Sequence, residues 1–147
     1  MDGYFDDPDA TNEALVDGWY HTGDLGALDA DGYMSIVGRA RDVIRTGGET
    51  VAPGEVEAAL ATHPSVREVA VVGLPDDTWG EIVCAVVVAQ QGAHQAIDLG
   101  ELRAHSAGAL AGFKQPRRLR IVDELPRTSA TGQVQRPLLV ERIGRAG

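Results

Sequence analysis

The sequence predicts an α+β fold: a small three-stranded sheet with packed helices, preceded by a β-hairpin. Two apolar runs, at 66–74 and 82–89, have the length and the β-branched composition of buried strands. Segments with apolar residues spaced three and four apart lie before and after these runs, as expected for helices that cover a sheet. At 147 residues, the chain suits one such domain with an additional terminal segment.

The first predicted element is a hairpin within residues 18–38. Asp31-Gly32 is a typical tight-turn dipeptide, and residues 33–37 supply the returning strand. Asp29 and Asp31 faintly resemble the start of a calcium loop, but the later ligands of such a loop are absent. A plain turn is therefore favoured.

A short apolar strand at 43–46 and a helix follow. Pro53 suits the first turn of that helix, where its missing N–H is not needed, and His63-Pro64 stops it. The two long strands come next.

A second helix is predicted to begin after Asp98, which forms an N-cap together with Glu101 three residues later. A third strand at 119–122 and a last short helix from Pro137 complete the domain. The second helix is predicted to bury Leu99, Leu102, Leu110 and Phe113.

Charge is distributed unevenly along the chain. The net charge is −9, yet residues 1–38 hold nine acids and no Lys or Arg, whereas residues 101–147 hold nine bases against four acids, a local +5. An acidic start and a basic end argue against nucleic-acid binding, which requires a basic face across the domain. The basic end permits a local anion site, and a solvated basic surface is the alternative.

The single cysteine indicates a reducing compartment. One cysteine excludes an internal disulfide, and the position of Cys84 within an apolar run predicts a buried, inert thiol. The longest apolar run is far shorter than the ~20 residues needed to span a bilayer. No secretion signal opens the chain. These features predict a cytoplasmic protein with no membrane span.

Several familiar sites are absent from the sequence. There is neither a P-loop nor a G-x-G-x-x-G fingerprint. His105 and Ser106 are neighbours in a helix and point in different directions, so they are not a nucleophile and its base. No metal site is predicted, because no suitable spacing is found among His21, His63, His94 and His105.

Four segments carry the functional signal. Together they resemble the C-terminal part of the adenylate-forming superfamily, which comprises AMP-forming acyl- and aryl-CoA ligases, peptide-synthetase adenylation domains and luciferases. The resemblance covers nearly the whole chain, and the stretches at 47–49 and 79–81 are more similar to the CoA ligases. The segments, in order, are GWYHTGDLG (18–26), GRARDVIRTGGETVAPGEVE (38–57), VVGLPDDTWGEIVCAVVV (71–88) and LPRTSATGQVQR (125–136).

The resemblance implies a two-step ligase reaction. A small-molecule carboxylate and ATP give an acyl-adenylate and pyrophosphate, and CoA then gives the thioester and AMP. In this interpretation residues 1–38 are the terminal hairpin of an N-terminal adenylation domain, which holds most of the ATP and its Mg²⁺. Residues 39–147 are then the C-terminal lid domain, and the setting is acyl-CoA metabolism, fatty acids included.

The resemblance also implies roles for the first site residues. Asp24 follows a Thr-Gly turn that can hold a carboxylate rigidly against a vicinal diol, and in the family this residue binds the ATP ribose. Its alternative role is that of a turn-capping residue. Arg39 would contact the same ribose. Arg41 falls at the family's hinge, where Asp or Lys is usual.

A coenzyme site is implied in the middle of the chain. Gly47 and Gly48 would line the pantetheine tunnel, because residues without side chains let a thin substrate arm approach the backbone. A simple turn or bulge is the alternative. The adenine and phosphates of CoA would contact a second set of residues: Trp79, Phe113, Lys114, Arg117 and Arg118. For the two aromatic residues, Trp79 and Phe113, ordinary packing is the alternative.

Gln133 is the main departure from the family pattern. In the family, this position holds the catalytic lysine, which neutralises charge between the carboxylate and the α-phosphate during adenylation. A glutamine donates a hydrogen bond but brings no cation, and losing one electrostatic donor typically lowers a rate by ~10²–10³. An engineered and a native origin both stay open.

Three functions follow from these features. The leading interpretation is the C-terminal lid domain of an AMP-forming acyl- or aryl-CoA ligase, inactive as an isolated fragment. One alternative is a non-catalytic domain that binds a nucleotide or a partner. The other is an adenylating enzyme that loads a carrier protein instead of CoA.

Overall fold

The computed structural model describes residues 3–93 and 97–146, so His94 lies outside the described residues. The chain divides into two units, one that ends at Arg41 and one that begins at Asp42. This division lies three residues beyond the end of the predicted hairpin. That hairpin's origin in an N-terminal adenylation domain stays a prediction.

The first unit consists of short elements with little packing. The predicted hairpin is present as an antiparallel pair of strands, in which Asp24 is paired with Arg39 and Leu28 with Met34. None of the described residues of this unit is buried. Its elements are helix α1 (Pro8–Ala14) and strands β1 (Leu15–Val16), β2 (Trp19–Tyr20), β3 (Asp24–Leu28) and β4 (Met34–Arg39).

The second unit contains the long strands and three helices. Pro53 occupies the first turn of its first helix, and Asp98 caps the second by accepting a hydrogen bond from the Glu101 N–H at 2.8 Å, both as predicted. Its elements are β5 (Ile44–Thr46), β6 (Glu49–Val51), α2 (Pro53–Ala61), β7 (Val66–Asp76), β8 (Gly80–Ala89), α3 (Leu99–Ser106), β9 (Arg118–Ile121) and α4 (Arg136–Ala146).

The α+β class is confirmed, but the sheet has five strands rather than three. The three strands predicted for the sheet are β7, β8 and β9, with β7 antiparallel and β9 parallel to β8, and the short strand predicted at 43–46 is β5. The other two strands, β5 and β6, form a hairpin whose loop is Gly47-Gly48. Both glycines have positive φ, +58° and +84°, which permits the two-residue turn that was the alternative interpretation of this pair.

Helices cover both faces of this sheet. On one face α2 and α3 pack on Val83, Ala85 and Val87, and on the other α4 packs on Val86 and Val88. Because both faces are covered, β8 is a continuous apolar run rather than an alternating one.

Helix α3 is shorter than the sequence indicated. It ends at Ser106, whose hydroxyl donates to the Leu102 carbonyl at 2.9 Å, and Gly108 then disfavours a further turn. Leu110 and Phe113 are therefore not on the helix, although both still pack on the core from the segment that follows. The prediction of one long helix was wrong.

Cys84 is buried as predicted, and burial raises the pKa of its thiol to about 11. Within residues 3–93 and 97–146, no helix is long and apolar enough to cross a membrane. The same residues contain no group of His, Cys, Asp and Glu side chains that could hold a metal ion.

Candidate functional site

The two residues predicted to bind ribose lie together in the first unit. Asp24 and Arg39 are cross-strand partners, and Asp24 Oδ1 lies 2.9 Å from Arg39 Nη1. The same nitrogen donates to the Thr22 carbonyl at 3.1 Å, and the Thr22 hydroxyl accepts from the Asp24 N–H. The turn therefore fixes both the backbone and the charge of Asp24, as a rigid diol acceptor requires.

The predicted hinge residue lies at the end of the first unit. Arg41 is part of a 3₁₀ turn, Ala40–Asp42, and the division into two units falls directly after it. A short turn at a unit boundary is the kind of segment that absorbs a backbone rotation. The hinge role itself stays a prediction.

Three of the predicted coenzyme residues form one stack in the second unit. The Gly47 N–H donates to the Trp79 carbonyl at 2.8 Å, and the indole ring lies against Gly47. A Cβ at position 47 would come within 2.8 Å of the indole carbon Cε3, so a side chain is excluded there. On the Trp79 ring, the Arg117 guanidinium carbon lies 3.9 Å from the centroid. Trp79 thus presents a cation-capped aromatic surface, of the kind that binds a base and phosphates.

Open space and an orphan hydroxyl lie next to this stack. An added Cβ at Gly48 would meet no atom within 4 Å, which leaves room for a thin ligand beside the turn. Thr46 is 3% exposed, and its hydroxyl lacks a hydrogen-bond partner in the part of the chain that the structure describes. Buried hydroxyls are usually hydrogen-bonded, so a water molecule or a ligand atom would satisfy this one.

Lys114, another of the predicted coenzyme residues, forms an ion pair of its own. Its ammonium nitrogen lies 2.8 Å from each carboxylate oxygen of Glu55, in the first turn of α2. The ring of Phe113 is 5.7 Å from the same nitrogen and packs on the core. Lys114 is also the only lysine of the chain.

Gln133 lies on a tight loop that leads into α4. The loop is closed by a bridge between Arg127 and Val134, and by a hydrogen bond from the Thr128 N–H to the Gln133 carbonyl at 2.9 Å. Gly132 has a φ of +69°, which turns the chain just before Gln133. The Gln133 side chain is exposed, and none of the described residues hydrogen-bonds to its amide. The loop therefore presents the Gln133 amide to solvent.

The cation nearest in the loop is already engaged. Arg127 donates from Nη1 to the Gly132 carbonyl at 2.9 Å, and its Nη2 lies 3.7 Å from Glu68. It therefore stabilises the base of the loop, whereas the family's lysine charge belongs at position 133. Lys114 is the only lysine of the chain, and it is paired with Glu55 rather than with this loop.

Sequence reasoning missed the residue that anchors this loop, Arg136. Its guanidinium lies 2.6 Å from Glu57 Oε1 and 3.5 Å from Asp42 Oδ2, and it also donates to the Val71 carbonyl at 3.3 Å. Glu57 Oε1 in turn accepts the Val71 N–H at 2.9 Å. Glu57 and Arg136 thus hydrogen-bond to the N–H and the carbonyl of Val71 on the edge strand β7. Their ion pair also connects α4 with α2. The sequence feature that could have indicated this role is that Arg136 ends the last motif, 125–136. No role was predicted for Arg136.

Comparison with known proteins identifies relatives along almost the entire chain. The sulfoacetate–CoA ligase of Cupriavidus necator is 47% identical over 137 residues, which cover 92% of this chain and 26% of that protein. A feruloyl-CoA synthase from an Amycolatopsis species is 43% identical over 144 residues, which cover 98% of this chain and 29% of the relative. The chain thus spans little more than a quarter of the length of these relatives.

Solved structures agree. The o-succinylbenzoate CoA synthetase of Bacillus subtilis, in complex with its acyl-adenylate intermediate, matches with a TM-score of 0.84 and 36% identity, over 95% of this chain and 28% of that one. The amide bond synthetase McbA from Marinactinospora thermotolerans matches with a TM-score of 0.86 and 39% identity, over 97% of this chain and 29% of that one. Residues 55–131, 77 of the 147, match the AMP-binding enzyme C-terminal domain. The chain belongs to the AMP-binding enzyme C-terminal domain family, in the adenylate-forming superfamily.

Proposed function

We propose that the chain is the C-terminal lid domain of an AMP-forming acyl- or aryl-CoA ligase. The observation that carries this proposal is identity of 42–47% to named CoA ligases and synthases over 92–98% of the chain. The parent reaction joins a carboxylate to ATP, releasing pyrophosphate, and then transfers the acyl group from AMP to CoA. By their names the relatives act on succinylbenzoate, sulfoacetate and ferulate, so only a class of acid is proposed, fatty acids included.

The first unit supplies the proposed ribose contacts. Asp24 accepts hydrogen bonds from the two ribose hydroxyls of ATP, while Arg39 holds the carboxylate in place at 2.9 Å. ATP and its Mg²⁺ are held mainly by the N-terminal adenylation domain, which is the proposed partner of this unit. Arg41 is the proposed hinge between the two half-reactions. The single buried cysteine favours a cytoplasmic setting.

The second unit supplies the proposed coenzyme contacts. The residues present fit CoA in three respects: open space beside Gly48, an aromatic face at Trp79, and a cation stacked on that face at Arg117. The pantetheine arm passes Gly47 and Gly48, the adenine meets Trp79, and the phosphates meet Arg117 and Lys114. Phe113 supports this surface from the core.

Gln133 favours a second candidate function. A lid that carries an uncharged amide at this position lacks the cation that adenylation requires, so the chain is alternatively a non-catalytic domain that binds a nucleotide or a partner. The third candidate is an adenylating enzyme that loads a carrier protein. McbA is by its name an amide bond synthetase, so an acyl acceptor other than CoA is also considered for this chain.

A chimera separates these functions. This chain replaces the C-terminal domain of a related CoA ligase, and both half-reactions are measured with Gln133 and with Gln133→Lys. We expect the lysine to raise ATP–pyrophosphate exchange at least ~10²-fold and to leave thioester formation from supplied acyl-adenylate nearly unchanged. The 147 residues alone should catalyse no exchange with either residue.

The opposite results are equally clear. If lysine accelerates neither step, or both equally, the assignment of the 127–134 loop to the adenylation site is wrong. Exchange catalysed by the isolated chain would refute its description as a lid fragment. Thioester formation with a carrier protein but not with CoA would favour the carrier-loading function.

A further inference from the structure

Glu55 neutralises the only lysine of the chain. Both of its carboxylate oxygens lie 2.8 Å from the Lys114 ammonium nitrogen, and the two side chains are 41% and 24% exposed. A carboxylate this close cancels most of the electrostatic attraction that Lys114 exerts on a third group. Lys114 is therefore a different kind of cation from Arg117, whose guanidinium is stacked on an aromatic ring.

A phosphate group that approaches Lys114 also meets the charge of Glu55. To bind, it must either displace the carboxylate or share the ammonium with it, and both are opposed by repulsion between like charges. We infer that Glu55 is a specificity-determining residue of the coenzyme site: it competes with a phosphate for Lys114 and so weakens binding of phosphorylated ligands. This inference rests on the proposed coenzyme function of Lys114.

The surroundings of Lys114 permit such an exchange of partners. Phe113 packs on the core on one side, and Gln115 is buried on the other, with its amide 3.2 Å from the Ser106 hydroxyl oxygen. The backbone is thus anchored at both neighbours. Only the four-carbon stem of Lys114 has to move, and this stem is flexible. When Lys114 moves away, the Glu55 carboxylate is still stabilised, because it lies in the first turn of α2, where the helix dipole favours an anion.

The size of the effect follows from exposure. Both groups are partly solvated, so the competition is moderate and is screened by salt. We expect Glu55→Gln to tighten CoA binding about 3- to 10-fold at low ionic strength. The gain should shrink when salt is raised to about 0.5 M. Pantetheine carries no phosphate, so its affinity should not change.

The single lysine makes a direct experiment possible. Reductive methylation with ¹³C-formaldehyde labels Lys114 and the terminal amine and retains their charge. NMR of the 147-residue chain then follows Lys114 during titration with CoA and with pantetheine, while calorimetry gives each Kd. Glu124→Gln is the matched control, because Glu124 is an exposed carboxylate of the same unit and has no proposed contact with the coenzyme. Glu55→Asp retains the charge on a shorter stem and should give an intermediate gain.

Each outcome is decisive. Tighter CoA binding in Glu55→Gln, abolished when Lys114→Gln is added, supports the inference. If CoA shifts the Lys114 signal but folded Glu55→Gln binds equally or more weakly, Glu55 positions Lys114 instead, and the inference fails while the coenzyme site stands. If CoA shifts the Lys114 signal in neither protein, the proposed coenzyme role of Lys114 itself is wrong. An equal gain for pantetheine would also overturn the inference, because no phosphate is involved.

Discussion

The two units of the chain differ in where their apolar side chains lie. Ten large apolar residues of the described chain are exposed, and nine of them lie between Tyr4 and Ile36, with Phe5 fully exposed and Trp19 77% exposed. In the second unit the corresponding residues pack into two clusters on the faces of the sheet. A core of this kind can support folding alone, whereas short hairpins cannot. The difference teaches that the described residues of the first unit form no hydrophobic core of their own.

The charge pattern supports the same conclusion. Residues 1–38 hold nine acids without a single Lys or Arg, so their charges repel one another. The cations of this unit, Arg39 and Arg41, lie within its last three residues, and Arg39 is paired with Asp24. Under the proposed function, the N-terminal adenylation domain would cover the exposed apolar side chains of this unit.

The largest expected effect is a difference between the two units in the rate of backbone amide hydrogen exchange. Amides of β7 and β8 should exchange at least about 10³-fold more slowly than amides of β3 and β4, because opening the second unit requires its core to unfold. Hydrogen exchange measured by mass spectrometry on the isolated chain checks this, and limited proteolysis should cut before Gly38 first. Equal protection of both units would contradict the comparison, unless the protection of the first unit falls on dilution, as expected of a self-associating surface.

Paired truncations sharpen the comparison. Leu102 is fully buried on α3, and Leu28 is 73% exposed on β3. We expect Leu102→Ala to lower the free energy of unfolding by about 2–5 kcal/mol and Leu28→Ala by less than about 0.5 kcal/mol. Urea denaturation followed by circular dichroism measures both. A large loss for Leu28→Ala would show that the first unit has a core of its own or a partner in solution.

The elements of the second unit that were predicted correctly are those with local signals. Strand β8 has a long β-branched run, α2 begins at Pro53, and Asp98 caps α3 as the pattern indicates. A strand was predicted at 43–46, where β5 lies, but its hairpin partner β6 was not predicted, because the sequence left open whether Gly47 and Gly48 form a turn. The short elements α1, β1 and β2 had no pattern, since none of their residues is buried.

The sequence named candidate site residues, whose roles stay predictions, but it did not indicate most of their contacts. The motifs implied that Asp24 and Arg39 contact the same ribose, and the structure pairs these two residues across β3 and β4. They did not indicate that Glu55 pairs with Lys114, or that Glu57 meets Arg136, since these partners are 59 and 79 residues apart. Contacts of that kind depend on how α2 is packed on the sheet, and no local pattern encodes that.

Arg136 gives a smaller effect within the second unit. Arg136→Met should lower the free energy of unfolding by about 1–3 kcal/mol, because Glu57 and the Val71 carbonyl lose a charged donor in a partly buried setting. Arg145→Met is the control, since Arg145 is 79% exposed and pairs only one turn away along α4. Its expected change is below about 0.5 kcal/mol. If both variants lose the same free energy of unfolding, Arg136 does not anchor α4.

The smallest effect concerns Cys84, in the middle of the most buried strand. Burial raises the pKa of its thiol to about 11, although the guanidinium groups of Arg120 and Arg118 act in the opposite direction. An unfolded thiol ionises near pH 8.5, so on raising the pH the unfolded state loses its proton first. This contribution to stability is complete below that pH and is lost as the pH rises toward 11.

Between pH 8 and pH 10, the free energy of unfolding should therefore fall by about 1–2 kcal/mol more in the native chain than in Cys84→Ala. The variant leaves a small cavity, which shifts its stability at all pH values, but it removes the titrating group, so the difference between the two slopes isolates the thiol. Urea denaturation at several pH values measures both slopes. Parallel slopes would mean that water reaches Cys84 in the folded state, and the contrast between a dry second unit and an open first unit would then be weaker than the burial of β8 indicates.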